Sequence, residues 1–76
     1  MSERKTIDAR GSFCPGPLME LIAALKLIEV GQEIEIWSTD QGTAKDVPEW
    51  AAKVGHETVE SGEKDDHWYV VVKKTK

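Results

Sequence analysis

The chain has 76 residues, a single cysteine and a formal net charge of −4 at pH 7. A domain of this length buries only about 60% of the surface that its unfolded chain exposes, so its core is thin and a deep substrate cavity is excluded. The acidic excess argues against direct nucleic-acid binding, because proteins that bind the phosphate backbone need a basic face.

The periodicity of apolar residues, and the glycine and proline residues that interrupt it, predict six elements in the order β-α-β-α-β-β. Together these elements are expected to form one domain over residues 1–76. The predicted elements are a strand over residues 6–10, a helix over 15–29, a strand over 33–38, a helix over 44–54 and two strands over 56–60 and 67–74. Each β-α-β unit should be a right-handed crossover between parallel strands. The predicted fold is therefore an α/β (α+β) two-layer sandwich, with two helices on one face of a four-stranded mixed sheet.

Local signals add detail to these elements. Thr43 with Asp46 resembles a capping box for the second helix, and Gly55 should close that helix. Pro48 predicts a kink or a fresh helix start. Residues 61–66 predict a charged turn between the last two strands, which should pair as an antiparallel hairpin. On the first helix, Met19 is expected to fill a gap in the core.

The single cysteine excludes an intramolecular disulfide and an internal dithiol switch. No secretory signal is visible, and the longest apolar runs are too short to span a bilayer. The sequence therefore predicts a cytoplasmic protein with no membrane contact. It also predicts no bound cofactor and no metal site, because one cysteine and two scattered histidines, His56 and His67, lack the spacing of metal ligands.

Cys14 is followed by Pro15, Gly16 and Pro17, which places it at or next to the N-cap of the first helix. The unpaired N–H groups and the helix dipole at that position stabilise negative charge. They should lower the pKa of the thiol and favour the thiolate that attacks sulfur electrophiles. Many free cysteines are instead small buried hydrophobic residues. The Pro/Gly turn that opens the helix favours a reactive thiol over a core residue.

The segment around this cysteine resembles the signature of the TusA/SirA family of sulfur-carrier proteins. Residues 8–19 read Asp-Ala-Arg-Gly-Ser-Phe-Cys-Pro-Gly-Pro-Leu-Met, which matches a Cys-Pro-x-Pro motif after a short strand ending in Asp-x-x-Gly. The resemblance continues through residues 30–33 and 40–48. It departs from well-known members in the first helix, where Lys26 is the first positive charge after the motif.

The resemblance implies the same β-α-β-α-β-β sandwich and a sulfurtransferase-type activity. By position, Cys14 would accept a sulfane sulfur from a donor protein, a cysteine desulfurase or a rhodanese, and hold it as Cys–S–SH. An acceptor protein would then receive the sulfur for tRNA thiolation, cofactor maturation or sulfur metabolism. Pro15, Gly16 and Pro17 would position the cysteine, and the carrier is expected to be a monomer.

Loops after parallel strands emerge at the same edge of a sheet, where such folds bind their ligands. Arg10, Asp40 and Thr43 are therefore candidates for a rim that a partner contacts. Turn and capping roles are the simpler explanation for Asp40 and Thr43, and a solvated surface position explains Arg10 at least as well. Two other functions stay open from the residues. One is a non-catalytic regulatory or RNA-associated module, and the other is a thiol redox sensor that works between two chains, since no resolving cysteine is present.

Overall fold

The computed structural model describes residues 5–11 and 16–76. Its elements are β1 (Lys5–Asp8), α1 (Gly16–Leu27), β2 (Glu33–Ser38), α2 (Gln41–Val54), β3 (Glu57–Lys64) and β4 (His67–Lys73). The strands form one sheet in the order β1-β2-β4-β3. β1 pairs parallel to β2, while β4 pairs antiparallel to both β2 and β3. The predicted element order and the mixed sheet are confirmed.

One core joins both helices to the same face of the sheet. In β2 the burial alternates, so that Ile34 and Ile36 point inward, and they lie opposite Val72 and Val70 of β4. Residues of α1 and α2 complete this cluster, among them Leu21, Leu25, Val47 and Ala51. Each large side chain buried in this way contributes about 1.5–3 kcal/mol relative to an exposed one. Within the described residues, no helix is long and apolar enough to cross a membrane.

The second helix begins earlier than predicted, and its cap is a different residue. Asp40 is the N-cap, with φ −97° and ψ 116°, and its carboxylate accepts the backbone N–H of Gly42 at 3.3 Å. The Thr43 hydroxyl donates to the same carboxylate at 3.0 Å. The predicted capping box of Thr43 and Asp46 is therefore wrong. Asp40 is the N-cap because its short side chain reaches these donors from an extended backbone. Thr43 lies inside the helix and is buried, with 1% of its surface exposed.

Proline and glycine act differently in α2. Pro48 lies inside the helix, which continues through it, so the fresh helix start is not found. The missing N–H of Pro48 leaves the carbonyl of Ala44 without its usual helical partner. Gly55 closes the helix as predicted: at φ 92° it is left-handed, and its N–H reaches the carbonyls of Ala51 and Ala52.

The hairpin turn is shorter than the sequence suggested. β3 runs to Lys64 and β4 starts at His67, so the turn consists of Asp65 and Asp66 rather than residues 61–66. Gly62, which read as a turn residue, lies within β3 opposite Tyr69. A Cβ on Gly62 would come within 3.2 Å of the Tyr69 ring. The absence of a side chain at Gly62 therefore serves a close cross-strand approach to Tyr69 and not a turn.

Candidate functional site at the carboxyl ends of the parallel strands

The two loops that follow β1 and β2 meet at one edge of the sheet. Asp8, the last residue of β1, lies in register with Trp37 of β2. Beyond the strand, the N–H of Ala9 donates to the Trp37 carbonyl at 2.9 Å. The N–H of Gly11 then donates to the Thr39 hydroxyl, also at 2.9 Å. The loop that leads to Cys14 is thus joined to the loop that leads to α2.

Asp8 and Arg10 form a bidentate ion pair at this edge of the sheet. The Asp8 carboxylate accepts Nε and Nη2 of Arg10 at 2.8 Å each, and also the Arg10 backbone N–H at 3.2 Å. These hydrogen bonds, the side-chain ones first, lower the pKa of Asp8 from 3.8 to about 2. The same contact raises the pKa of Arg10. The guanidinium carbon also lies 5.1 Å from the centre of the Trp37 ring, so Arg10 is held on two sides.

The Cys-Pro-Gly-Pro motif is described only in its second half, since Cys14 and Pro15 lie outside the described residues. Gly16 is the first residue of α1 and is exposed, whereas Pro17 is buried. Pro17 lies in the first helical turn, where its missing N–H costs no hydrogen bond. No acidic residue occupies that turn, so no carboxylate there offsets the positive end of the helix dipole.

The residues predicted for a partner rim are placed differently from one another. Arg10 is exposed at the edge, with 44% of its side chain accessible. Asp40 is half-buried and caps α2. Thr43 is buried and donates to Asp40, so it has no accessible surface to offer a partner, and its capping role explains it.

His67 belongs to the same edge, although its sequence position indicated only a strand end. It is 5% exposed, and its ring lies 5.2 Å from the Trp37 ring, centre to centre. Asp66 approaches its Nδ1 at 3.9 Å, which is too long for a hydrogen bond. Among the described residues neither ring nitrogen has a hydrogen-bond partner. No local pattern could have shown this burial, because it depends on packing between β2 and β4.

His56 lies at the other end of the sheet, because β3 starts where β4 ends. Its Nδ1 accepts the backbone N–H of Thr75 at 3.2 Å, and its ring contacts Trp50 at 5.9 Å. These contacts give His56 a structural role, at the end of the sheet opposite the carboxyl ends of β1 and β2. In the part of the chain that the structure describes, no group of three or more His, Cys, Asp or Glu side chains is arranged to hold a metal ion.

The outer face of α1 is apolar, which the sequence interpretation missed. Met19 is 63% exposed and Leu27 is 79% exposed, and Val30 just beyond the helix is 62% exposed. The expectation that Met19 fills a gap in the core is therefore wrong. Met19 lies one residue beyond Leu18 on the helix, and that step of about 100° turns it away from the buried stripe.

Comparisons with known proteins agree with this architecture. The family model described as "Sulfurtransferase TusA" matches residues 5–74. A protein of Archaeoglobus fulgidus described as a candidate sulfur carrier is 57% identical over 70 residues, covering 92% of this chain and 96% of that protein. The sulfur carrier protein TusA of Allochromatium vinosum is 32% identical, covering 91% of each chain.

A solved structure supports the same conclusion. The crystal structure of a SirA-like protein from Desulfitobacterium hafniense superposes with a TM-score of 0.82 at 27% identity. The match covers 93% of this chain and 97% of that one. The range that the family model matches, residues 5–74, takes in every strand and helix described above. The chain belongs to the TusA family of sulfur-carrier proteins.

Proposed function

We propose that this protein carries a sulfane sulfur as a persulfide on Cys14 and relays it from a donor protein to an acceptor protein. The observation that carries the proposal is the position of Cys14 in the chain. It falls between Gly11, which is tied to the edge where β1 and β2 end, and Gly16, which opens α1. Family membership supports the assignment, because the relatives are named sulfur carriers.

The transfer needs a thiolate and an accessible sulfur, and it balances without a redox partner. The Cys14 thiolate attacks the outer sulfur of a donor persulfide, R–S–SH. A new sulfur–sulfur bond forms on Cys14 while the donor's own sulfur–sulfur bond breaks, and the donor leaves as a thiol, R–SH. In the second half a thiolate of the acceptor attacks the outer sulfur of Cys14–S–SH. The new sulfur–sulfur bond forms on the acceptor while the one on Cys14 breaks, and Cys14 leaves as the thiolate.

The local electrostatics support such a thiolate. The N–H groups of the first turn of α1 have no acceptor within the helix and favour negative charge nearby, and no carboxylate in that turn opposes them. Asp8 is the nearest acid on the β1 side along the chain, and its charge is paired with Arg10. A donor such as a cysteine desulfurase or a rhodanese would supply the sulfur. The acceptor would use it in tRNA thiolation, cofactor maturation or sulfur metabolism.

An RNA-associated role has one feature in its favour, and the charges beside that feature oppose it. Trp37 and Tyr69 lie opposite each other in the register of β2 and β4, on the sheet face away from the helices, and bases can stack on such pairs. Each of these two side chains is hydrogen-bonded to a carboxylate, however. The Trp37 Nε1 donates to Glu35 at 2.6 Å, and the Tyr69 hydroxyl donates to Glu60. Two carboxylates beside the rings would repel phosphate, so we favour the carrier function.

The experiment that tests the carrier function is intact mass spectrometry after sulfur loading. The protein is incubated with a cysteine desulfurase and cysteine, or with a rhodanese and thiosulfate, and is measured before and after a reductant. We expect the wild type to gain one sulfur atom, the reductant to remove it, and Cys14→Ser to gain none. If a folded protein with an alkylatable thiol gains no sulfur from either donor, the carrier function is wrong.

A further inference from the structure

The Cys14 loop has an anchor outside its own strand. Gly11 is the last described residue before Cys14, and it adopts a left-handed conformation with φ 87°. Its N–H donates to the hydroxyl of Thr39, which is 28 residues away in the chain, at 2.9 Å. Up to Arg10 the chain is fixed by β1 and by the Asp8 pair. At Gly11 it turns away from the strand, and here the hydrogen bond to Thr39 holds it.

Thr39 can serve as an anchor because the backbone on both sides of it is fixed. On one side is Ser38, the last residue of β2, which is 2% exposed and accepts the N–H of Asp40 on its hydroxyl at 3.0 Å. On the other side Asp40 caps α2 through Gly42 and Thr43. The Thr39 hydroxyl is therefore presented from a rigid junction between a central strand and a helix cap.

We propose that Thr39 is a positioning residue for Cys14, acting through Gly11. This inference rests on the carrier function proposed above and adds a residue that fixes where the segment leading to Cys14 begins. The hydroxyl holds the Gly11 amide, so the segment between Gly11 and Gly16 starts from a fixed point. Asp40 and Thr43 contribute indirectly, because their hydrogen bonds hold Thr39 in place. The helix cap of α2 and the Gly11 end of the segment that leads to Cys14 are thus joined through Thr39.

The expected effect is that of one neutral hydrogen bond at an exposed position. Such a bond shifts the equilibrium between the bonded and the unbonded Gly11 amide by about 2- to 10-fold. Thr39→Val keeps the shape of the side chain but removes the acceptor. Thr39→Ser removes only the methyl group and keeps the acceptor. The two variants therefore separate the hydrogen bond from the packing of the side chain.

The test measures three quantities on wild type, Thr39→Val and Thr39→Ser. They are the rate of Cys14 alkylation by iodoacetamide across a pH series, the rate of sulfur loading from a desulfurase, and the melting temperature. For Thr39→Val we expect both rates to fall about 2- to 10-fold. We also expect the midpoint of its alkylation profile to move upward. Its melting temperature should fall by about 2–10 °C, the shift that a 2- to 10-fold change corresponds to in a domain of this size. Thr39→Ser should follow the wild type in all three.

Two results would overturn the proposal. The first is a Thr39→Val protein that alkylates and loads like the wild type. The second is a Thr39→Ser protein that is impaired as strongly as Thr39→Val, which would show that the hydroxyl is not the active group. Exchange of the Gly11 amide, followed by NMR, provides an independent check, since it should accelerate in Thr39→Val alone. The alkylation and exchange measurements need no donor protein, so they stay informative even if sulfur loading fails for the wild type.

Discussion

Arg10 places a positive charge at the candidate site, but this charge is already paired within the protein. Its guanidinium binds the Asp8 carboxylate through two nitrogens and also lies over Trp37. A bidentate pair of this kind fixes geometry as well as charge. The residue therefore shapes the end of β1 more than it presents a free cation to a partner.

This pairing predicts the titration of Asp8. Its folded pKa is about 2 against an ordinary 3.8, so its contribution to stability is present above about pH 4 and is lost as the pH falls through about 2. In a carboxyl-carbon NMR titration we expect Arg10→Gln to raise the Asp8 midpoint toward 3.8, because the two side-chain hydrogen bonds are lost. Arg10→Lys, which keeps the charge but not the paired geometry, should fall between the two. A wild-type midpoint near 3.8 would contradict the pairing.

At the scale of elements, the hairpin turn holds the one non-glycine residue with positive φ among the described residues, Asp65 at φ 56°. Aspartate tolerates this region better than most residues but still adopts it at a cost. The turn joins β3 to β4, which starts at the site edge with His67. Strain in this turn is therefore located next to the buried histidine.

We expect Asp65→Gly to stabilise the protein by about 0.5 kcal/mol. Glycine adopts positive φ without steric cost, and this gain exceeds the loss from the greater freedom of glycine in the unfolded chain. Urea unfolding should show a higher midpoint at an unchanged m-value. Asp66→Gly is the matched control. Since Asp66 has no positive φ, the Asp66→Gly variant should lower the urea midpoint of unfolding. Equal shifts for both variants would show that the backbone conformation of Asp65 is not the cause.

For the whole molecule, stability depends on the single core between the sheet and the two helices. Ile34 is 0% exposed and lies in β2 between strands β1 and β4. A domain of this size is expected to have an unfolding free energy of about 4–11 kcal/mol. The loss of one central side chain is therefore a large part of the total.

Ile34→Ala should lower the unfolding free energy by about 2–5 kcal/mol, through lost burial and the cavity left behind. Thermal and urea unfolding measure the change. Val59→Ala is the control, since Val59 is also in a strand but is 45% exposed, and a change within about 0.5 kcal/mol is expected there. A similar loss in both variants would mean that the core does not dominate stability.

Local signals determined much of this protein from its sequence. The alternation of Ile34 and Ile36 predicted β2 with the bounds that the structure shows, Glu33–Ser38, because burial on one face imposes a period of two. The left-handed cap at Gly55 followed from the low cost of positive φ in glycine. The motif around Cys14 identified the family, and the element order predicted the mixed sheet.

Only the tertiary structure decided the features that depend on residues far apart in the chain. Gly62 resembled a turn residue until the Tyr69 ring was found across from it. The burial of His67 against Trp37 and the hydrogen bond from Gly11 to Thr39 have no local signature. Sequence periodicity indicates which residues of a single strand or helix face the core. These contacts, in contrast, form only when segments that are distant in sequence come together in the sheet. The sequence thus placed Cys14 between the first strand and the first helix, and the folded sheet brought the Thr39 hydroxyl within hydrogen-bonding distance of Gly11.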